Sequence, residues 1–271
     1  NAHSNYGVAL REQGRLEEAV ASLKRAITLK PDFAEAYSNL GNTLVKFSRL
    51  DEAETCFSRA IALKPDFAEA YFNLGNTLKK RGKLEDAISG YIEAINLKPD
   101  YLHAHLNLGL ILRTKSFSSS NVKLYPSLIR LLSTENLMRP GDLAPCIVSL
   151  LKHDPLIKNL LPQKNFATTL EEATYIIKSL DKLPLLHHLM RVCPLPDLKF
   201  ERFFVAMRSL LLMNLDSVEM SPEVIYFLST LSLHCFTNEY VYPEKDEETK
   251  LIDKLEIRIK RAVVNSEQPE A

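Results

Sequence analysis

Four asparagines recur at one spacing in this sequence: Asn5, Asn39, Asn73 and Asn107. A primary amide presents a donor and an acceptor side by side, matching the paired N–H and C=O of a peptide backbone. Asparagine is a mediocre helix former, so four of them at one register of a helical pattern ask for a reason. Asn42 and Asn76 lie one helical turn beyond two of them, and Lys79 and Lys80 follow Asn76. The chemistry open to these groups is hydrogen-bonded recognition, not bond breaking. Adjacent helices pack roughly 8–10 Å apart, and an extended chain rises about 3.3 Å per residue. A ladder of asparagines on successive helices would therefore meet every third residue of an extended peptide. The competing reading is that the amides bridge neighbouring repeats or reflect duplication.

The elements that must position these amides are repeats. LKPDFAEAYSNLGN at Leu29–Asn42 returns as LKPDFAEAYFNLGN at Leu63–Asn76 and, degraded, as LKPDYLHAHLNLGL at Leu97–Leu110. Pro31, Pro65 and Pro99 set the period at 34 residues, and a fixed period of this size marks stacked helical units that share a continuous core. With Ala34 as position 1, Tyr37, Leu40, Gly41 and Leu44 complete one apolar stripe at helical spacing. Gly41, Gly75, Ala53 and Ala87 allow close helix approach. Lys-Pro ends each second helix, because the residue before proline is pushed out of the helical region. Asp32 and Asp66 are the expected caps of the helices that follow. Glu35, Ser38, Asn39, Asn42, Val45 and Lys46 share the opposite face of one first helix. Glu69, Phe72, Asn73, Asn76, Lys79 and Lys80 share it on the next.

The pattern Tyr37, Leu40, Gly41, Ala53, Phe57, Ala60, Pro65 resembles the tetratricopeptide repeat, a helix–turn–helix unit, and it recurs in three successive units with a partial fourth. His3 and His105 stand where that family favours a large aromatic residue, which predicts weaker packing at both ends. The resemblance implies that the asparagine-bearing face is the concave, ligand-binding surface. The asparagine ladder is similar to the peptide-binding superhelix of O-linked N-acetylglucosamine transferases. On that reading Asn5, Asn39, Asn42, Asn73, Asn76 and Asn107 grip the backbone, Phe72 and Leu106 add apolar contact, and Lys79 and Lys80 give a mild preference for acidic ligands. The carboxylate clamp of chaperone adaptors is not matched, since His103 with Asn107 and Glu69 with Asn73 replace the basic pairs it needs.

Composition narrows the classes. Lys plus Arg and Asp plus Glu both number 34 in 271 residues, so the net charge is zero. Nucleic-acid and acidic-membrane binders normally carry a basic excess, and no apolar run reaches the length of a membrane span. Cys56, Cys146, Cys193 and Cys235 are scattered, which supports neither a zinc site nor a disulfide framework and suits reduced thiols in a cytoplasmic protein. No cofactor is implied. The start at Asn1 reads as the middle of a repeat, so the chain is expected to be a fragment.

The second half is expected to be an irregular all-helical domain packed on the repeats and capping their open end. The boundary falls in the polar run from Arg113 to Asn121, giving a tetratricopeptide α-solenoid at 1–115 and a helical domain at 116–271 in an all-α chain. Predicted helices are Val122–Ser133, Asp142–Lys152, Thr168–Leu180, Leu185–Val192, Leu198–Asn214, Pro222–Asn238 and Asp246–Asn265. Thr168 with Glu171 and Glu172 is the expected start signal of the third. Only Gly141 follows Gly109, which excludes a glycine-rich phosphate loop. His187 and His188 place one imidazole inward and one outward. His153-Asp154 marks a helix end. His234 and Cys235 are adjacent on a helix and do not face each other. Phe203, Phe204, Met207, Leu211 and Leu212 form a core face. SLLKHDPLIKNLL, the Val192–Leu198 run and Leu233–Glu248 resemble the helical segment before the catalytic domain of tetratricopeptide-containing S-adenosylmethionine-dependent methyltransferases. That resemblance implies a substrate-recruiting arm without catalytic residues.

The leading expectation is thus a non-catalytic module that binds an extended peptide or protein segment. The alternatives are the methyltransferase arm and a self-associating solenoid.

Overall fold

The computed structural model describes residues 2–134, 137–161, 169–237, 254 and 257. Among these, every regular element is helical. The chain divides into two compact units, 1–111 and 112–271.

The first unit is three helix pairs and a seventh helix. The pairs are α1 (Ala2–Glu12) with α2 (Leu16–Leu29), α3 (Ala34–Lys46) with α4 (Leu50–Leu63), and α5 (Ala68–Lys80) with α6 (Leu84–Leu97); α7 (Leu102–Leu112) follows. Each second helix stops where proline demands it. Lys30, Lys64 and Lys98 leave the helical region at φ −140°, −140° and −134°. The next helix does not use the aspartate as a cap. Phe33 and Phe67 occupy the N-cap positions without a side-chain hydrogen bond, so Asp32 and Asp66 are not the caps expected of them. Instead each turn stacks its lysine over the following ring, with Lys30, Lys64 and Lys98 at 5.5, 5.0 and 5.4 Å from the centres of Phe33, Phe67 and Tyr101.

Between the helices of a pair, glycine sets the distance. A Cβ on Gly41 would lie 2.8 Å from the Phe57 ring, and one on Gly75 would lie 2.9 Å from the Tyr91 ring. Phe57 and Tyr91 are fully buried in the space so made. Leu40 and Leu44 then pack on Val20 and Leu23 of the preceding pair, so the core runs from one repeat into the next. His105 takes the place of the large aromatic residue in the last unit. Its ring is buried, and Nε2 lies 3.0 Å from the Pro99 carbonyl oxygen.

The second unit holds α8 (Tyr125–Ser133), α9 (Pro140–Leu151), α10 (Pro155–Leu160), α11 (Leu170–Leu180), α12 (Pro184–Val192), α13 (Leu198–Met213) and α14 (Pro222–Thr237). Short 3-10 turns at Val122–Leu124 and Leu215–Ser217 precede α8 and follow α13. The predicted helix Asp246–Asn265, the residue Thr168, the Cys235 side chain and most of Leu233–Glu248 lie outside the described residues. The cap of α11 is Thr169. Its hydroxyl accepts from the Glu172 N–H while the Glu172 carboxylate accepts from the Thr169 N–H. Asp154 ends one helix and starts another. Its carboxylate accepts from the Leu156 N–H at 3.0 Å to cap α10, and from the buried Tyr125 hydroxyl at 2.7 Å. Phe203, Phe204, Met207, Leu211 and Leu212 are buried as expected, and α12 packs on α8 and α14. His187 points inward and His188 lies nearer the surface, with Nε2 2.7 Å from Ser133 Oγ.

Candidate functional site

The first helices of the repeats carry two neighbouring clefts. The first, of about 550 Å³, is lined by Asn5 and Asn39 with Ser4, Glu35 and the turn residues Lys30, Asp32 and Phe33; Lys64 reaches it from the end of α4. The second, of about 240 Å³, is lined by Asn42, Asn73, Asn76, Val45, Thr77, Lys79 and Lys80. α3 contributes to both, Asn39 to one and Asn42, a turn further on, to the other. The helical pattern does this by itself: α3 buries Ala34, Ala36, Leu40, Gly41 and Leu44 and leaves Asn39, Asn42 and Val45 half-buried on the other side. The smaller polar residues Ser4, Ser38, Thr43 and Thr77 are buried, Ser4 and Thr77 within the walls of the two clefts. The hydroxyls of Thr43 and Thr77 donate back to the carbonyls of Asn39 and Asn73, each at 2.8 Å.

The six predicted asparagines differ in what they have left to offer. Asn39 Nδ2 lies 3.3 Å from Ser4 Oγ in the preceding repeat. Asn107 Nδ2 donates to Asn76 Oδ1 at 2.8 Å, and the Tyr91 hydroxyl donates to the same oxygen at 2.8 Å. Asn39 and Asn107 therefore do bridge repeats, as the competing reading supposed. Asn5, Asn42 and Asn73 make no side-chain hydrogen bond among the described residues. Phe72 and Leu106 line neither cleft. Phe72 instead sits against Tyr101, Tyr91 and His103 with ring centres 4.9, 5.9 and 6.4 Å away.

The charges of the two clefts differ as well. Lys64 Nζ donates to Glu35 Oε1 at 3.1 Å across repeats. The Glu35 carboxyl is held below its ordinary pKa, first by the N–H of its own backbone and then by Lys64. Burial pushes the Tyr91 phenol up to about 12, so it remains a donor to Asn76. Burial also raises the thiols of Cys56, Cys146 and Cys193 to about 11, 12 and 11, which keeps them protonated near neutral pH. Among the described residues no cluster of three or more His, Cys, Asp or Glu is placed to hold a metal ion, and no helix is long and apolar enough to cross a membrane.

Sequence reasoning missed the turn residues Lys30, Asp32 and Phe33, which were read only as helix punctuation. The signal was present, because the turn returns with the same period as the amides it flanks.

Helix pairs stacked at a constant period, with a glycine facing Leu23, Phe57 or Tyr91 of its partner helix, make the first unit a tetratricopeptide-repeat array. Residues 7–47, 48–80 and 75–115 match the family model of the TPR repeat. Three solved structures are similar to part of the chain. MamA is 31% identical, with 40% of this chain and 64% of that chain covered at a TM-score of 0.39. The first TPR of Spaghetti (RPAP3), bound to an HSP90 peptide, is 23% identical, with 41% and 87% covered at 0.40. A mutant of the Thermobaculum terrenum O-GlcNAc transferase is 26% identical, with 48% and 25% covered at 0.41. The chain thus spans less than two thirds of the length of MamA and a quarter of that of the transferase. No curated protein matched the chain.

Proposed function

We propose that the first unit is a non-catalytic binding module that holds an extended peptide or protein segment along the first-helix face. Stacked helical repeats use such extended surfaces for recognition. The observation that carries this reading is that Asn39 and Asn73, on successive repeats, line two adjoining clefts. Asn73 offers both ends of its amide to a backbone, and Asn39 its carbonyl oxygen and the second of its two N–H donors. Asn5 and Asn42 extend the contact. Asn107 serves by holding Asn76, and Phe72 by shaping the wall behind it.

The test is selection of a displayed library of random peptides against the protein. About twelve residues, at about 3.3 Å each, suffice to cross both clefts. An enriched peptide is expected to lose roughly tenfold or more in affinity for the double variant Asn39→Ala, Asn73→Ala, since each lost hydrogen bond is worth about 1 kcal/mol. The thermal midpoint should fall through loss of the Asn39–Ser4 hydrogen bond, so the affinities are compared well below the transition of the variant. Unchanged affinity, or failure to enrich any peptide, would overturn the reading.

A further inference from the structure

The Asn76 carbonyl oxygen already accepts two hydrogen bonds, from Tyr91 and from Asn107, each at 2.8 Å. A carbonyl oxygen has two lone pairs, so only the NH2 of that amide, a donor, remains to be used. Lys79 and Lys80 border the same cleft, and no carboxylate stands in its wall. Neither lysine is ion-paired among the described residues. The adjoining cleft is unlike it: Lys30 and Lys64 share that space with Asp32 and Glu35, and Lys64 is bonded to Glu35. Lysines in a last turn also favour the negative end of their own helix. That explains their place along the axis of α5, but not their convergence with a fixed amide donor on one side of it.

We propose that this cleft takes an acidic side chain, the carboxylate of an Asp or Glu in the bound segment, and so sets the register of the ligand as well as its composition. The inference rests on the peptide-binding reading above. The amide of Asn73 can hold the backbone whatever the sequence, whereas a site with cations and a fixed donor discriminates between side chains. A carboxylate accepts from both kinds of donor at once, while a lysine or arginine placed there meets like charge. Because Lys80 is exposed and Lys79 half-buried, the preference weakens as salt rises.

The same random library provides the probe. Enriched peptides are expected to share an acidic residue at one fixed position. Changing that residue to the neutral amide should weaken binding about fivefold to tenfold at low salt. The variant Lys79→Gln, Lys80→Gln should bind the acidic and amide peptides about equally, with its helical circular dichroism unchanged. Enriched peptides without a fixed acidic position would overturn the inference and leave peptide binding intact. So would a lysine variant that discriminates as well as the parent. Failure to enrich any peptide would overturn both.

Discussion

The Tyr91 hydroxyl donates to Asn76 Oδ1 at 2.8 Å and so ties a fully buried core ring to a residue of the recognition face. At the corresponding position the previous repeat has Phe57, which has no hydroxyl, and Asn42 is left without this partner. Tyr91→Phe should cost about 1 kcal/mol in denaturant unfolding, the usual net worth of one hydrogen bond. It should also release one lone pair of Asn76, and so blunt the preference for acidic peptides more than the overall affinity.

Ser48 sits at φ 60°, a left-handed conformation, in the turn between α3 and α4. The equivalent turns of the other repeats use Gly14 and Gly82, at φ 77° and 76°. The left-handed region costs an L-residue roughly 1 kcal/mol that glycine escapes. Ser48→Gly is therefore expected to raise stability by about 0.5–1 kcal/mol, read as a higher midpoint in urea. A lower midpoint would show that the serine makes a compensating contribution in the turn.

Asp154 serves two elements, the N-terminus of α10 and the buried Tyr125 hydroxyl. Asp154→Ala should cost about 2–3 kcal/mol, combining a lost cap with a buried hydroxyl deprived of its acceptor. Tyr125→Phe keeps the cap and should cost about half as much. The order of the two variants in equilibrium unfolding is the check.

Burial lowers the His234 pKa to about 4, from an ordinary value of 6.5, and lowers that of His187 in the same direction. The unfolded chain therefore binds these protons before the folded one does. Stability should be at full strength above about pH 6.5 and fall as the pH drops toward 4. The contribution of His234 is on the order of 3 kcal/mol. Thermal unfolding at pH 7 and pH 5 should show the loss, and His234→Gln should flatten the difference even though the variant is less stable throughout.

The repeats were plain in the sequence because period and apolar stripe report the same geometry. Tyr37, Leu40, Gly41 and Phe57 each mean little alone, but their recurrence specifies a helix pair. Local signals were less decisive where two residues could play one part. Thr168 and Thr169 each have a glutamate at capping distance, and the sequence alone does not choose Thr169. The six residues of α10 are too few to show a period, although Asp154-Pro155 is a fair start signal. For the site, the sequence could show that the asparagines share a face but not which amides were already engaged. That depends on partners a whole repeat away: Ser4 for Asn39, and Asn76 for Asn107. Phe72 reads as a ligand contact because it stands beside Asn73, and the sequence does not show that two tyrosines and a histidine from α6 and the start of α7 pack around its ring.

Gly90 stands where α2 has Ser22 and α4 has Cys56. A Cβ there would meet the Cα of Gly75 and the carbonyl oxygen of Tyr71, each at 3.2 Å. The first helices of the second and third repeats are near-copies, yet α4 packs on α3 with a cysteine at this place. The glycine thus lets α6 lie flush against α5, and any side chain put there would have to ease the two backbones slightly apart.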